Sequence, residues 1–193
     1  MQRKRRENFP PPPLNAEEAN EFLTDVRYSS QTFSKHYQGL VRGTEGNERA
    51  TTFAHQGNLS KLGEDTKVIW GDGTFKTAPA LRDNEHEYQV LRVYGEYNGY
   101  TFPIFQAVMS RKSRSLYNAV YAKLKELLPA TVEPEMIMSD YETALQGGLS
   151  EVFPTARVVG CWFHYSQVSF SFSVGLKLAL NLLCIPERVQ IHD

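Results

Sequence analysis

The sequence predicts an α/β fold, a mixed β-sheet flanked by helices, and three observations predict it. Two short apolar runs, Val68-Ile69-Trp70 and Met136-Ile137-Met138, turn abruptly polar at Asp72 and Asp140. Short apolar runs bounded by polar or glycine residues read as buried strands. Tyr88 to Tyr94 and Tyr100 to Met109 are rich in β-formers and flank Asn98-Gly99, the dipeptide that best supplies the two positive φ angles of a tight hairpin. Stretches of helical period lie between the later strands, so strand and helix alternate along the chain.

The elements follow in order. Arg3-Lys4-Arg5-Arg6 is a compact basic cluster of the kind that serves nuclear import or phosphate contact, although a solvated basic tail has the same composition. Pro10 to Pro13 predict an extended polyproline linker. Leu14-Asn15-Ala16-Glu17-Glu18 reads as a hydrophobic staple and capping box opening a short helix, with Ala19, Phe22, Leu23 and Val26 inward. Residues 28–48 are polar and glycine-containing and receive no assignment. A strand is expected at 67–72, then hairpin strands at 88–97 and 100–109. Pro103 lacks a ladder N–H, so the returning strand belongs at a sheet edge or carries a bulge.

A helix over 115–128 follows, opened by Ser115, with Leu116, Val120, Leu124, Leu127 and Leu128 on one face and Pro129 closing it. After a strand at 135–139, residues 141–152 show a helical period through Ala144, Leu145, Leu149 and Val152, interrupted at Gly147-Gly148. A last strand is expected at 157–162. The strands of Asp72 and Asp140 are expected to be parallel neighbours joined by a right-handed crossover. Their carboxylates then sit at one rim of the sheet, where two such groups can share a metal ion.

This order is that of a ribonuclease H-like fold, and three motifs make the likeness specific. Asp72-Gly73-Thr74-Phe75-Lys76, Ser139-Asp140-Tyr141-Glu142 and Gly160-Cys161-Trp162-Phe163-His164-Tyr165-Ser166-Gln167 together resemble the MULE (Mutator-like element) transposase domain. The lead-in Thr52-Phe53-Ala54, Asn58-Leu59 and Leu62 is similar to the segment that precedes the first aspartate in animal members. The resemblance divides the chain into a basic, proline-containing region (1–48), a transposase-like domain (49–167) and a divergent apolar tail (168–193).

The resemblance implies a DDE/D enzyme that nicks DNA and joins the freed 3′ hydroxyl to a target strand. It also implies self-association and a nuclear location. Asp72 and Asp140 would be the catalytic and metal-holding residues, with Asp72 bridging two Mg²⁺ or Mn²⁺ ions and Asp140 holding one. Such ions prefer hard oxygen ligands, and a pair about 3.5–4 Å apart activates the attacking oxygen and stabilises the leaving one. Without metal, two nearby carboxylates repel each other.

The pattern departs from the family after Gln167. The family's third acid lies on a later helix, whereas the carboxylates of this tail are Glu187 and Asp193. The ribonuclease H-like fold is therefore expected to be incomplete at its C-terminus and the chain catalytically incomplete, with residues 168–193 deriving from a truncated or altered gene model. In the tail Val168, Phe170, Phe172 and Val174 alternate with serine, and the run from Leu176 to Ile185 contains Lys177 and Asn181. It is too short and too polar for a membrane span, which needs about 20 apolar residues, and no membrane partner is expected.

Other residues carry weaker signals. Cys161 and His164 form half of a zinc pattern, yet no second paired cluster exists among Cys184, His36, His55, His86 and His192. The pair is then expected to position the site, touch DNA, or pack at a strand end. Trp162, Phe163 and Tyr165 read as core rather than as base-stacking platforms, with stacking the alternative for one of them. Lys76, Arg111, Lys112 and Arg114 are candidate DNA contacts or loop solvation. Asp140 alone also reads as a helix N-cap.

Two further functional classes compete: a non-catalytic DNA- or chromatin-binding protein co-opted from a transposase, and an unrelated metal-dependent nuclease whose third acid is Glu142 or Glu85. Composition sets outer bounds. With 193 residues, 41% hydrophobic and 22% charged, the chain reads as one soluble globular domain. A net charge of −1 excludes a global attraction to DNA, so binding must come from local patches. Two cysteines make no disulfide framework, and without a signal peptide a reducing intracellular compartment is expected.

Overall fold

Asn98 and Gly99 both take positive φ, 52° and 76°. The chain reverses there between two long strands, β4 (Gln89–Tyr97) and β5 (Tyr100–Met109). The structure, a computed structural model, describes residues 13–29, 32–74, 88–162, 164 and 166. Ahead of the hairpin come α1 (Ala16–Thr24), a 3₁₀ turn (Val26–Tyr28), α2 (Thr32–His36), β1 (Tyr37–Arg42), β2 (Arg49–Ala54), α3 (Gln56–Leu59) and β3 (Val68–Thr74). After it come α4 (Arg114–Leu127), β6 (Met136–Ser139), α5 (Thr143–Val152) and β7 (Arg157–Gly160).

The seven strands form one sheet in the order β1-β2-β5-β4-β3-β6-β7. Pairing is antiparallel from β1 through β3, and β3, β6 and β7 run parallel. The fold is α/β, a mixed sheet flanked by helices, and it is compatible with a ribonuclease H-like fold. Residues 37–42, left unassigned by sequence, form β1 and add a ladder outside β2. That ladder is irregular: the register slips between Tyr37 and Gly39, and Gly39 has a φ of 115°.

Packing follows the two-residue period of the strands. Leu91, Val93, Ala107 and Met109 face the helices and join Ile69 and Ile137 in the main core, while Tyr88, Val90 and Val108 form a small cluster with Phe53. Helix α4 presents Leu116, Val120 and Leu124 to the main core, as its period predicts, and adds Tyr117 and Tyr121. Fully burying one such leucine or valine contributes about 1.5–3 kcal/mol, so this stripe holds the helix to the sheet.

Several local expectations need correction. Pro103 is not on an edge strand, because β5 lies between β2 and β4. The alternative holds: Val93 pairs with Phe105 and Tyr94 with Pro103, leaving Ile104 as the extra residue. The β2 ladder stops at the Ala54–Phe105 pair, so no ladder N–H is demanded of Pro103 on that side.

The N-cap of α4 is Ser113, whose side chain accepts the Leu116 N–H at 3.1 Å. Ser115 bonds across to Thr44, Oγ to Oγ1 at 2.8 Å, tying the helix to the β1–β2 turn. Asn15 caps α1 as expected, and Glu18 reaches back to the Leu14 N–H at 2.8 Å. Val26 is not inward: α1 ends at Thr24 and Val26 is 84% exposed on the following turn. Glu17 ion-pairs with Arg42 and Arg49, which fixes α1 to the β1–β2 hairpin.

Gly147-Gly148 does not interrupt α5, which runs unbroken from Thr143 to Val152. A Cβ on Gly148 would lie 2.9 Å from the Tyr117 Cβ, so the glycine lets α5 approach α4 closely. This contact decides the sign of a substitution. Helix propensity alone predicts that Gly148→Ala stabilises by about 1 kcal/mol. The clash is with an atom fixed to the α4 backbone, and overpacking of that kind costs about 1–3 kcal/mol. Gly148→Ala is therefore expected to lower the midpoint of urea unfolding; a raised midpoint would contradict the close helix contact.

Candidate functional site

Parallel pairing brings the three sequence motifs to one end of the sheet. The β3–β6 register is Val68 to Met136, Ile69 to Ile137 and Trp70 to Met138. The same offset, continued past the end of β6, brings Asp140 level with Asp72. On the other side Ser139 pairs with Gly160, and the Cys161 N–H donates to the Ser139 carbonyl at 2.6 Å. Asp72, Asp140 and Cys161 thus lie at the carboxyl ends of three adjacent parallel strands, where open α/β sheets bind their ligands.

His164 links the first motif to the third, with Nε2 standing 3.6 Å from Asp72 Oδ1. Asp140 lines a cleft of about 680 Å³ together with Lys112, Tyr141, Glu142, Thr143, Ala144 and His164. Asp72 is not among the lining residues and meets the cleft through His164. Asp140 is not a helix N-cap. That position is taken by Glu142, which makes no side-chain cap bond of its own. Asp140 Oδ1 accepts the Glu142 N–H at 3.4 Å, and the Asp140 carbonyl accepts from Gln146 Nε2 at 3.0 Å.

Burial pushes the Asp140 carboxyl above the usual carboxylate range. The Glu142 N–H opposes the shift, the Glu142 charge adds to it, and His164 and Lys112 pull it back. Glu142 is itself held at both oxygens. Lys112 Nζ approaches Oε2 at 2.8 Å, and the Tyr117 hydroxyl donates to Oε1 at 3.1 Å. Behind it Gln89 Nε2 donates to Tyr117 Oη at 2.8 Å. Burial raises the Tyr117 and Tyr121 hydroxyls well above their ordinary range, so both stay neutral.

Of the basic candidates, Lys112 lies at the cleft. Arg114 is ion-paired with Glu151 on α5, and Arg111 is exposed. Trp162 is 73% exposed and is not core, because the chain leaves the sheet at Gly160. Cys161 is a free thiol, part-buried. His36 and His55 stack on each other at 4.7 Å beside α3, away from the motif end of the sheet. Lys76, Glu85, His86, Phe163, Tyr165, Cys184, Glu187 and His192 lie outside the described residues. Among the described residues no group of three or more His, Cys, Asp or Glu side chains is arranged to hold a metal ion, and no helix is long and apolar enough to cross a membrane.

Sequence reasoning missed Gln89 and Tyr117. The signal was present: Gln89 occupies an inward position of a β-rich segment, and Tyr117 falls on the apolar face of α4 beside Leu116 and Val120.

Comparison with known proteins adds one match. The family model of the MULE transposase domain matches residues 68–168, from the start of β3 past the Cys-x-x-His motif. No curated protein matches the chain.

The environment of Asp140 has a testable pH signature. A carboxyl whose folded-state pKa is raised binds more protons folded than unfolded, so stability falls as pH rises through that folded value. Asp140→Asn removes the penalty. The variant is expected to melt above the parent at neutral pH, with the difference shrinking on acidification and vanishing below the unfolded carboxylate value of about 3.9. Melting curves across pH for both proteins check this, and a constant or widening gap at low pH would contradict it.

Proposed function

We propose, from the premise that this chain belongs to the MULE transposase domain family, that it is a transposase-derived DNA-acting protein whose cleft at the ends of β3 and β6 is the centre of metal-dependent strand cleavage and joining. The reading rests on one observation above the rest, the register that brings Asp140 level with Asp72 at the carboxyl ends of two parallel strands.

The donors fit a hard divalent cation in kind. Both candidates are carboxylates, and Asp140 is half-buried with its charge disfavoured by burial and by Glu142, a cost that a bound cation offsets. Asp72 and Asp140 would hold Mg²⁺ or Mn²⁺, which when bound neutralises charge on phosphodiester oxygens. The remaining work falls to the chain's own residues. His164 steadies the Asp72 carboxylate, and Lys112 presents a cation to a phosphate entering the cleft, with Glu142 and Tyr117 limiting where that cation points. Net charge gives no global pull on DNA, so Lys112, Arg111, Arg114 and Lys76 would supply local contacts. Arg3 to Arg6 support a nuclear location, and self-association accompanies transposases as a class.

The described residues offer two strong carboxylates, and we infer that residues 1–193 alone bind metal weakly and are catalytically incomplete. A second reading, a non-catalytic DNA-binding protein, has one observation in its favour: both acidic positions already have a basic neighbour, His164 at Asp72 and Lys112 beside Asp140 and Glu142.

A nicking and strand-joining assay with Mg²⁺ or Mn²⁺ tests the reading. The chain is expected to cleave near background while binding DNA. Lys112→Ala should lower the slope of log affinity against log salt by about one, as the loss of one phosphate contact does. Robust metal-dependent cleavage abolished by Asp72→Ala would show a complete site. Metal-independent DNA binding untouched by Asp72→Ala and Asp140→Ala would favour the second reading.

A further inference from the structure

We propose that Gln89 is a neutral oxygen ligand of the divalent cation at Asp140, on the side of β3 where Gly73 carries no side chain. The inference rests on the metal-dependent reading above and adds a ligand to it. Gln89 opens β4 and is 0% exposed, wholly enclosed by core. A primary amide in that position has two donors and an acceptor to satisfy. Its nitrogen is accounted for, donating to Tyr117 Oη at 2.8 Å and lying 3.7 Å from Met109 Sδ.

That assignment of nitrogen and oxygen follows from the neighbours. Tyr117 has one hydroxyl proton and gives it to Glu142 Oε1, so it must accept from Gln89. The amide oxygen is thereby turned the other way, and among the described residues Gln89 Oε1 has no hydrogen-bond partner. Leaving a buried acceptor unmet carries its full desolvation penalty, whereas an apolar side chain there would carry none.

The oxygen lies beside a specific place, the one a side chain at position 73 would occupy. A Cβ on Gly73 would stand 3.6 Å from Gln89 Oε1 and 3.8 Å from Asp140 Oδ2. Two oxygens, one neutral from β4 and one carboxylate from the end of β6, thus flank the same gap, the place a side chain at position 73 would fill. Asp140 Oδ1 is turned to the Glu142 N–H, which leaves Oδ2 for the gap. Two acceptors facing one space call for a cation. An amide carbonyl is a hard oxygen donor, and being neutral it adds a ligand without adding to the repulsion between Asp140 and Glu142.

The test measures metal binding directly on the 1–193 chain, with Mn²⁺ followed by the electron paramagnetic resonance of the free ion and Mg²⁺ by the rise in melting temperature. Gln89→Met keeps length and removes the oxygen. It is expected to weaken Mn²⁺ binding about tenfold, the low end of losses seen when a metal site's surroundings are perturbed. Gln89→Glu keeps the oxygen and adds charge, and is expected to tighten binding. Gly73→Ala leaves Gln89 intact and fills the gap at ordinary van der Waals distances, so it should weaken binding without lowering the metal-free melting temperature. This third variant stands even if those at position 89 fail to fold. A purely structural glutamine would make Met and Glu both weaken binding, or change nothing, and either result overturns the proposal. If the parent shows no Mn²⁺ binding that Asp140→Asn removes, the metal-dependent reading itself falls and takes the proposal with it. Binding lost in Asp140→Asn but untouched by Gly73→Ala and Gln89→Met overturns the role of Gln89 alone.

Discussion

The parallel pairing of β3 with β6 is the constraint on which the site depends. Side chains alternate along a strand, so a slip of one residue would turn Ile137 out of the core and move Asp140 away from the level of Asp72. Burial of Ile69 and Ile137 in the same core therefore fixes the chemistry indirectly. Hydrophobic packing on the helix side sets which residues stand at the ends of the strands. The same logic extends to β7, whose pairing through Ser139 and Gly160 starts the Cys161–His164 segment beside Asp140.

A second feature is the polar file that crosses this core. Gln89, Tyr117 and Glu142 run from the interior of β4 to the cleft, with Lys112 at the outer end. The bonds within it hold its members in one arrangement, and the Gln89 oxygen is the atom of the file left without a partner among the described residues. The close contact of Gly148 with Tyr117 places the centre of the file at the α4–α5 crossing. Stability of the helix pair and orientation of the cleft's charged groups are in this way two readings of one contact.

Much of the architecture was legible because it is written in short-range patterns. Asn98-Gly99, the apolar runs before Asp72 and Asp140, and the stripe Leu116, Val120 and Leu124 each signal an element without help from the rest of the chain. What escaped depends on partners distant in sequence. β1 has no strong pattern of its own and is defined by its pairing with β2. The choice of Ser113 over Ser115 as the cap turns on a bond from Ser115 to Thr44. Gly147-Gly148 looked like a break because propensity was visible and the neighbouring helix was not. At the site, Asp72 and Asp140 stood out as acids ending apolar runs, while Gln89 is uncharged and its importance appears only when the oxygen beside Gly73 is located. Trp162 misled because an aromatic residue next to a strand is usually buried, and here the strand had already ended.

The irregular β1 ladder has a consequence for how this molecule meets copies of itself. Among the described residues β1 is one margin of the sheet, and an open margin of evenly spaced N–H and C=O groups is a template on which another chain can crystallise as an extra strand. The slip between Tyr37 and Gly39, with Gly39 in a left-handed conformation, breaks that spacing within a strand only six residues long. An incoming strand finds too few consecutive groups in phase to propagate, so the margin is shielded against edge-to-edge aggregation by backbone geometry rather than by charge.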